Sequence, residues 1–207
     1  MFDPLPLIDE PPRERSDAAR NREALLAAAA RLVERDGVDC VTMDSVAAEA
    51  GVGKGTVFRR FVSREGLMGA LLNRSETEWQ RLVLEGPPPL GPGAPPLERL
   101  LAFGHSRMEL NLAHAELIRA AGRAVVRSYA VAAFTAMHVR YLLTELECHG
   151  DIAILATALL APLDVIVLVQ QTKIDQLPLD RITAGWDDLV RRVVCYDGHA
   201  DLPPTSG

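Results

Sequence analysis

Lys54, Thr56, Arg59 and Arg60 lie within seven residues of one another, directly after Gly51-Val52-Gly53. Three cations and a hydroxyl at that spacing can neutralise and hydrogen-bond phosphates, and each neutralised phosphate of a duplex releases counterions. One competing phosphate chemistry is a nucleotide-binding loop, which VGKGT resembles. That loop needs a glycine five residues before Gly53, where Ala48 stands, and Ser or Thr directly after Lys54, where Gly55 stands. It should also follow a strand, and here an alanine-rich stretch precedes it. The nucleotide loop is rejected.

The wider segment TMDSVAAEAGVGKGTVFRRF, residues 42–61, predicts two short helices joined by a glycine turn. Small Ala47 stands where they would cross, and Val52 and Val57 point back into a shared core. This is a helix-turn-helix pattern. Its second helix, about 12 Å long, would present Lys54, Thr56, Arg59 and Arg60 to a major groove about 12 Å wide. The competing reading of these twenty residues is two core helices with a solvated basic face.

The elements that must hold this pair are also legible. Leu25, Ala28, Ala29, Leu32 and Val33 stand at i, i+3, i+4, i+7 and i+8, so a helix is predicted from about Asp17 to Asp36, with Gly37 as its stop. Thr42 can cap the next helix, whose inward positions are Met43, Val46, Ala47 and Ala50. Ser63 can cap a longer one with Met68, Leu71, Leu72, Ser75, Trp79, Leu82 and Val83 on one face. That helix must end at Gly86–Pro96, where six of eleven residues are proline and three glycine. Beyond it, helical segments are predicted at Leu97–Ala113, Ala115–Ala121, Val125–Cys148, Asp151–Gln171 and Leu179–Cys195. No strand pattern or repeat appears. The expected fold class is all-α: a flexible arm over 1–16, a three-helix helix-turn-helix domain over 17–62, and a helical domain over 63–207.

Composition supports this and excludes several classes. The 207 residues are 48% hydrophobic, 24% charged and only 5% aromatic, which fits a helical globular protein rather than a disordered one. Cys40, Cys148 and Cys195 are too few and too far apart for a disulfide framework and suit a reducing cytoplasm. The first twelve residues, acidic and proline-bearing, make a poor export signal. Ile152–Val169 is apolar enough to suggest a membrane span, but Pro162 and Asp164 interrupt it, so a buried or interfacial helix is expected. Net charge is −6, yet residues 11–74 carry +2 and the remainder −8. The basic module facing phosphates would therefore be the N-terminal one.

Residues 22–72, from the first amphipathic helix through GVDCVTMDSVAAEAGVGKGTVFRRFVSREGLMGALL, strongly resemble the DNA-binding domain of the TetR family of transcriptional regulators. The resemblance implies a cytoplasmic homodimeric repressor that is not an enzyme. Its N-terminal helices would bind a palindromic operator, and its helical C-terminal domain would hold a small-molecule effector and the dimer interface. Carried over by position, it places Gly53, Lys54, Gly55, Thr56, Val57, Phe58, Arg59 and Arg60 at the recognition helix nearest double-stranded DNA. Thr42 and Ser45 would meet phosphate at the N-terminus of the helix before. Family members often have serine at position 53 and tyrosine at position 58. Phe58 keeps the ring but cannot donate an O–H. Arg60 replaces a frequent histidine and can supply charge instead. Gly55 either allows close backbone approach or is merely tolerated.

For the effector, Trp79, Phe103, Met108, Phe134, Met137, His138, Tyr141 and Asp164 are candidates. Phe134, Met137, His138 and Tyr141 share one helical face, which is either a cavity lining or ordinary core. Asp164, amid leucine and valine, should be buried and need either a cationic ligand or an arginine partner. The resemblance places dimerisation in the last two helices, and Asp151–Gln171, apolar nearly all round, itself needs cover on more than one side. His105 and Glu109 are an i, i+4 pair without a third metal ligand, so no metal or cofactor is expected. The alternatives are a helical enzyme or carrier using the C-terminal cavity, although no catalytic set of Ser, His and Asp is evident, and a regulator answering to a protein partner.

Overall fold

The computed structural model describes residues 13–122 and 129–195, with side chains over 18–122 and 133–195. Every regular element among the described residues is helical. They run α1 (Arg13–Asp36), α2 (Met43–Glu49), α3 (Lys54–Phe61), α4 (Arg64–Glu85), α5 (Pro96–Ala113), α6 (Ala115–Ala121), α7 (Tyr129–Glu145), α8 (Ile152–Leu160), α9 (Val165–Val169) and α10 (Leu179–Val194). The all-α expectation holds. Residues 1–12 of the expected arm lie outside the described residues. α1 itself starts at Arg13, four residues before the expected Asp17, because Arg and Glu at positions 13–15 favour helix despite their polarity.

The chain divides into two compact units. One runs up to Asn73 and takes in the segment from Leu117, and the other holds the rest of the chain from Arg74 on. In the first, Leu25, Leu26, Ala28 and Ala29 of α1, Val46 and Ala47 of α2, and Val57 and Phe61 of α3 are buried together with Leu67 and Met68 of α4. The turns are set by glycine where the backbone demands it. Gly37 ends α1 at φ +82°, and Gly51 turns α2 into α3 at φ +66°. A third turn is strained. Val62, between α3 and α4, sits at φ +66° while the Ser63 N–H donates to the Phe61 carbonyl at 2.7 Å, a γ-turn that a β-branched residue adopts only at a cost.

In the second unit Trp79, Val83, Leu100, Phe103, Met108, Leu142, Leu143, Leu159, Leu168 and Trp186 form the core. Gly104 lets α5 meet α10: a Cβ there would lie 2.1 Å from the Trp186 ring, whose indole N–H donates to the Leu159 carbonyl at 2.9 Å. Glu76 and Arg107 form a buried ion pair, with one guanidinium nitrogen 2.7 and 2.9 Å from the two carboxylate oxygens.

The segment expected to be one helix over Asp151–Gln171 is broken. α8 gives way to a 3-10 turn at Ala161–Leu163, α9 follows, and Gln170–Ile174 is a π turn. Pro162 cannot continue the backbone ladder, and Asn111 donates its amide to the Leu163 carbonyl at the break. Asp164 restarts the helix. The expectation of a buried carboxylate is corrected, since Asp164 is only half-buried; its carboxylate caps α9 by accepting from the Ile166 N–H at 2.8 Å. Ile152–Ile174 is long and apolar enough to cross a membrane by composition, but it is not one continuous α-helix.

Candidate functional site

The N-terminal site is built from α2 and α3. Thr42 caps α2 through a reciprocal pair: its hydroxyl oxygen accepts from the Ser45 N–H, and the Ser45 hydroxyl oxygen accepts from the Thr42 N–H, both at 3.0 Å. Ser45 also donates to the Thr42 carbonyl at 2.9 Å. The two hydroxyls expected at phosphate therefore first fix the end of α2. Arg31 and Arg35 of α1 reach Glu49 at 3.0 and 3.5 Å and clamp the other end, and the Arg31 hydrogen bond holds the Glu49 carboxyl below its ordinary pKa.

α3 starts after Gly53, whose extended backbone precedes Lys54. Val57 and Phe61 are buried, while Lys54, Gly55, Phe58, Arg59 and Arg60 are exposed and Thr56 is half-buried. The placing of Val57 against DNA is corrected. It has no exposed surface, because i, i+4 spacing with Phe61 turns both into the core. A side chain at Gly53 or Gly55 would meet no atom within 4 Å, so another molecule can approach the backbone there without obstruction.

The cations on this edge differ in how they are held. Lys54 pairs with Asp44 of α2 at 2.6 Å and lies 5.7 Å from the Phe58 ring centre. Arg60 donates to the Ala18 carbonyl of α1 at 2.6 Å, which ties it back along the surface. Arg59 makes no ion pair among the described residues. Together with Arg22 of α1, Arg59 and Arg60 line a groove of about 250 Å³ between α1 and α3 that also takes in Thr56. The spacing of α3 predicts its outward edge; Arg22 and Asp44 belong to other helices and needed the packing to be seen.

In the C-terminal unit the candidates separate. Trp79, Phe103, Phe134 and His138 gather into one ring cluster from α4, α5 and α7, with centroid separations of 5.1 to 6.1 Å along its edges. Tyr141 joins its rim at 6.3 Å from His138. Met137 is exposed and points away, Asp164 is the cap of α9, and Met108 lines a different cleft of about 260 Å³ with Leu163, Gln171 and Trp186. Burial, and secondarily the Arg99 cation, lower the His138 pKa to about 4. Arg107 lies 4.8 Å from the Trp79 ring centre while holding Glu76. These charged groups have no local sequence signal, since their partners are 31 residues apart. His105, considered with Glu109, instead bonds Asp187 of α10 at 2.6 Å.

Residues 25–71 match the family model described as bacterial regulatory proteins, tetR family. An HTH-type transcriptional regulator of Staphylococcus aureus (strain USA300) is 33% identical over 60 residues, which is 29% of this chain and 32% of that protein, so the chain spans about a third of the length of this curated relative. Two solved structures extend the likeness over both units. The multidrug binding protein EbrR, in complex with imidazole, is 25% identical with a TM-score of 0.54, covering 90% of this chain and 93% of that one. The fatty acid degradation regulator FadR from Bacillus halodurans shares the fold at 14% identity, with a TM-score of 0.57 and coverage of 90% and 97%.

Proposed function

From the match of residues 25–71 to the model of the tetR family of bacterial regulatory proteins, we propose that the chain is a transcriptional regulator of that family, a cytoplasmic one-component repressor. As a homodimer it places α3 of each protomer in successive major grooves of a palindromic operator, and it lets go when a small, largely apolar effector enters the C-terminal unit. The observation that carries this is the division of α3 itself. Val57 and Phe61 anchor the helix while Lys54, Arg59 and Arg60 remain on the outer surface, beside two glycines with open space around them. An edge of that kind suits a polyanion. The ring cluster of Trp79, Phe103, Phe134 and His138 is the effector site, and release requires that the effector favour a state whose half-site spacing does not fit the operator.

The dimer is supported by surface apolarity. Ile154, Ile166 and Ile174 are 65%, 78% and 67% exposed on the segment that ends in the π turn, and Leu179 of α10 is also exposed. Four large aliphatic side chains on the last helices call for a covering surface, which a second copy supplies. Replacing Ile166 by Glu should leave the monomer fold intact and halve the mass seen by sedimentation. An unchanged dimer would remove this face from the interface.

Anisotropy titration against the DNA upstream of its own gene tests the whole reading. Tight binding that weakens steeply with salt is expected; absent or salt-insensitive binding at low ionic strength would overturn it. Lys54→Ala should weaken binding across sequences, since its contribution is to phosphate.

A further inference from the structure

Between α5 and α7, two buried polar atoms have no hydrogen-bond partner among the described residues: Nε of Arg99 and Nε2 of His138. They share a neighbourhood. The Arg99 guanidinium lies 6.0 Å from the Tyr141 ring centre, and the His138 imidazole 6.3 Å from the same ring. His138 is 5% exposed and stacks between Phe103 and Phe134, with interplanar angles of 25° and 14°. Arg107 differs: it is buried and holds the Glu76 carboxylate, whereas Arg99 is half-buried, with only its Nε enclosed, and has no ion pair among the described residues. Unsatisfied buried polar atoms are costly and uncommon in native folds, and they mark places where something else completes the bonding.

The chemistry narrows what that can be. A cation would be repelled by Arg99. A hydrocarbon would leave both atoms unsatisfied. An anion that accepts from both and carries a flat apolar body satisfies the charge, the donors and the stacked rings together. Held neutral by burial and by the Arg99 cation, the imidazole can donate from Nε2.

We propose that the α5–α7 seam binds the carboxylate of an aromatic acid, which accepts from Arg99 Nε–H and His138 Nε2–H while its ring joins the Phe103, Phe134 and Tyr141 cluster. This names the effector class and rests on reading that cluster as the effector site. The neutral apolar part of the ligand contributes affinity; the carboxylate contributes the choice.

Calorimetric titration of the full chain with benzoate and 2-naphthoate, against benzamide and 2-naphthamide of the same shape, tests it. At least one acid should bind about tenfold or more tightly than its amide, a difference of about 1.4 kcal/mol. Arg99→Gln should abolish that preference while the thermal midpoint stays near that of the parent. Arg99→Lys, which keeps the charge but loses the Nε–H, should recover only part of it. Equal binding of acid and amide, a preference that survives Arg99→Gln, or no binding by either acid at about 1 mM would each overturn the assignment. Operator binding measured alongside separates the two levels. If DNA is bound and neutral aromatics alone release it, the effector reading stands and the acid assignment fails. If no DNA is bound, the regulatory reading fails whatever the acids do.

Discussion

The two units handle arginine in opposite ways. In the N-terminal unit Arg31, Arg35, Arg59 and Arg60 lie on the surface, where they clamp Glu49, reach the Ala18 carbonyl or face solvent. In the C-terminal unit Arg107 is buried against Trp79 with Glu76 as its partner, and the buried Nε of Arg99 adjoins a neutral histidine. A surface cation on a rigid helix meets a large polyanion without desolvating itself first. A buried cation has already lost its water and therefore discriminates sharply among small partners. On the proposed reading, the same residue type serves general attraction in one unit and selection in the other.

The largest expected effect lies in the buried arrangement. Arg107→Met leaves the Glu76 carboxylate enclosed without its counter-charge, so urea unfolding should show a loss of about 3–5 kcal/mol. Arg59→Gln on the exposed edge should leave the unfolding midpoint where it is. If Arg107→Met were as mild as Arg59→Gln, the contrast between the units would collapse.

Acid should separate the units next. The folded pKa of His138 lies near 4, below its ordinary 6.5, so the unfolded chain binds more protons between those values. That contribution is complete above about pH 6.5 and is lost as pH falls toward 4, amounting to about 3 kcal/mol. His114, lowered mainly by burial, acts in the same direction. In the N-terminal unit Glu49 is held below 4.5, so its contribution is retained until pH drops through that lower range. Thermal midpoints between pH 7 and pH 4 should decline for the parent and flatten in His138→Phe. A parallel decline in both proteins would assign the acid sensitivity elsewhere.

Smaller effects test the local turns. Thr42→Ala removes one side of the cap on α2 and should cost about 1 kcal/mol, with weaker DNA binding alongside. Val62→Gly relieves a positive φ at the α3–α4 junction and should be neutral to stabilising by up to about 1 kcal/mol in the same unfolding assay, whereas a clear loss would deny the strain.

These contrasts also explain what was legible in the sequence. The N-terminal elements follow from local signals: the stripe from Leu25 to Leu32, Gly37 and Gly51 where φ is positive, and Thr42 as a cap. Val57 cannot be both core and DNA contact, because one side chain on a helix faces one way, and here it faces the core. In the C-terminal unit the ring cluster was partly visible through the spacing of Phe134 and His138. Met137 and Asp164 were misplaced because hydrophobicity alone did not say which face of α7 is covered, or that Asp164 opens a new helix. Arg99, Arg107 and Glu76 were invisible for a different reason. Their meaning depends on neighbours brought together by tertiary packing, as does the His105–Asp187 bond between residues 82 positions apart.

The central claim is that α3 presents its cations to operator phosphates. The slope of log affinity against log salt for the parent and Arg59→Gln, measured on one upstream duplex, tests it most directly. A slope shallower by about one unit in the variant is predicted. Identical slopes and affinities would contradict the placement of this edge on DNA.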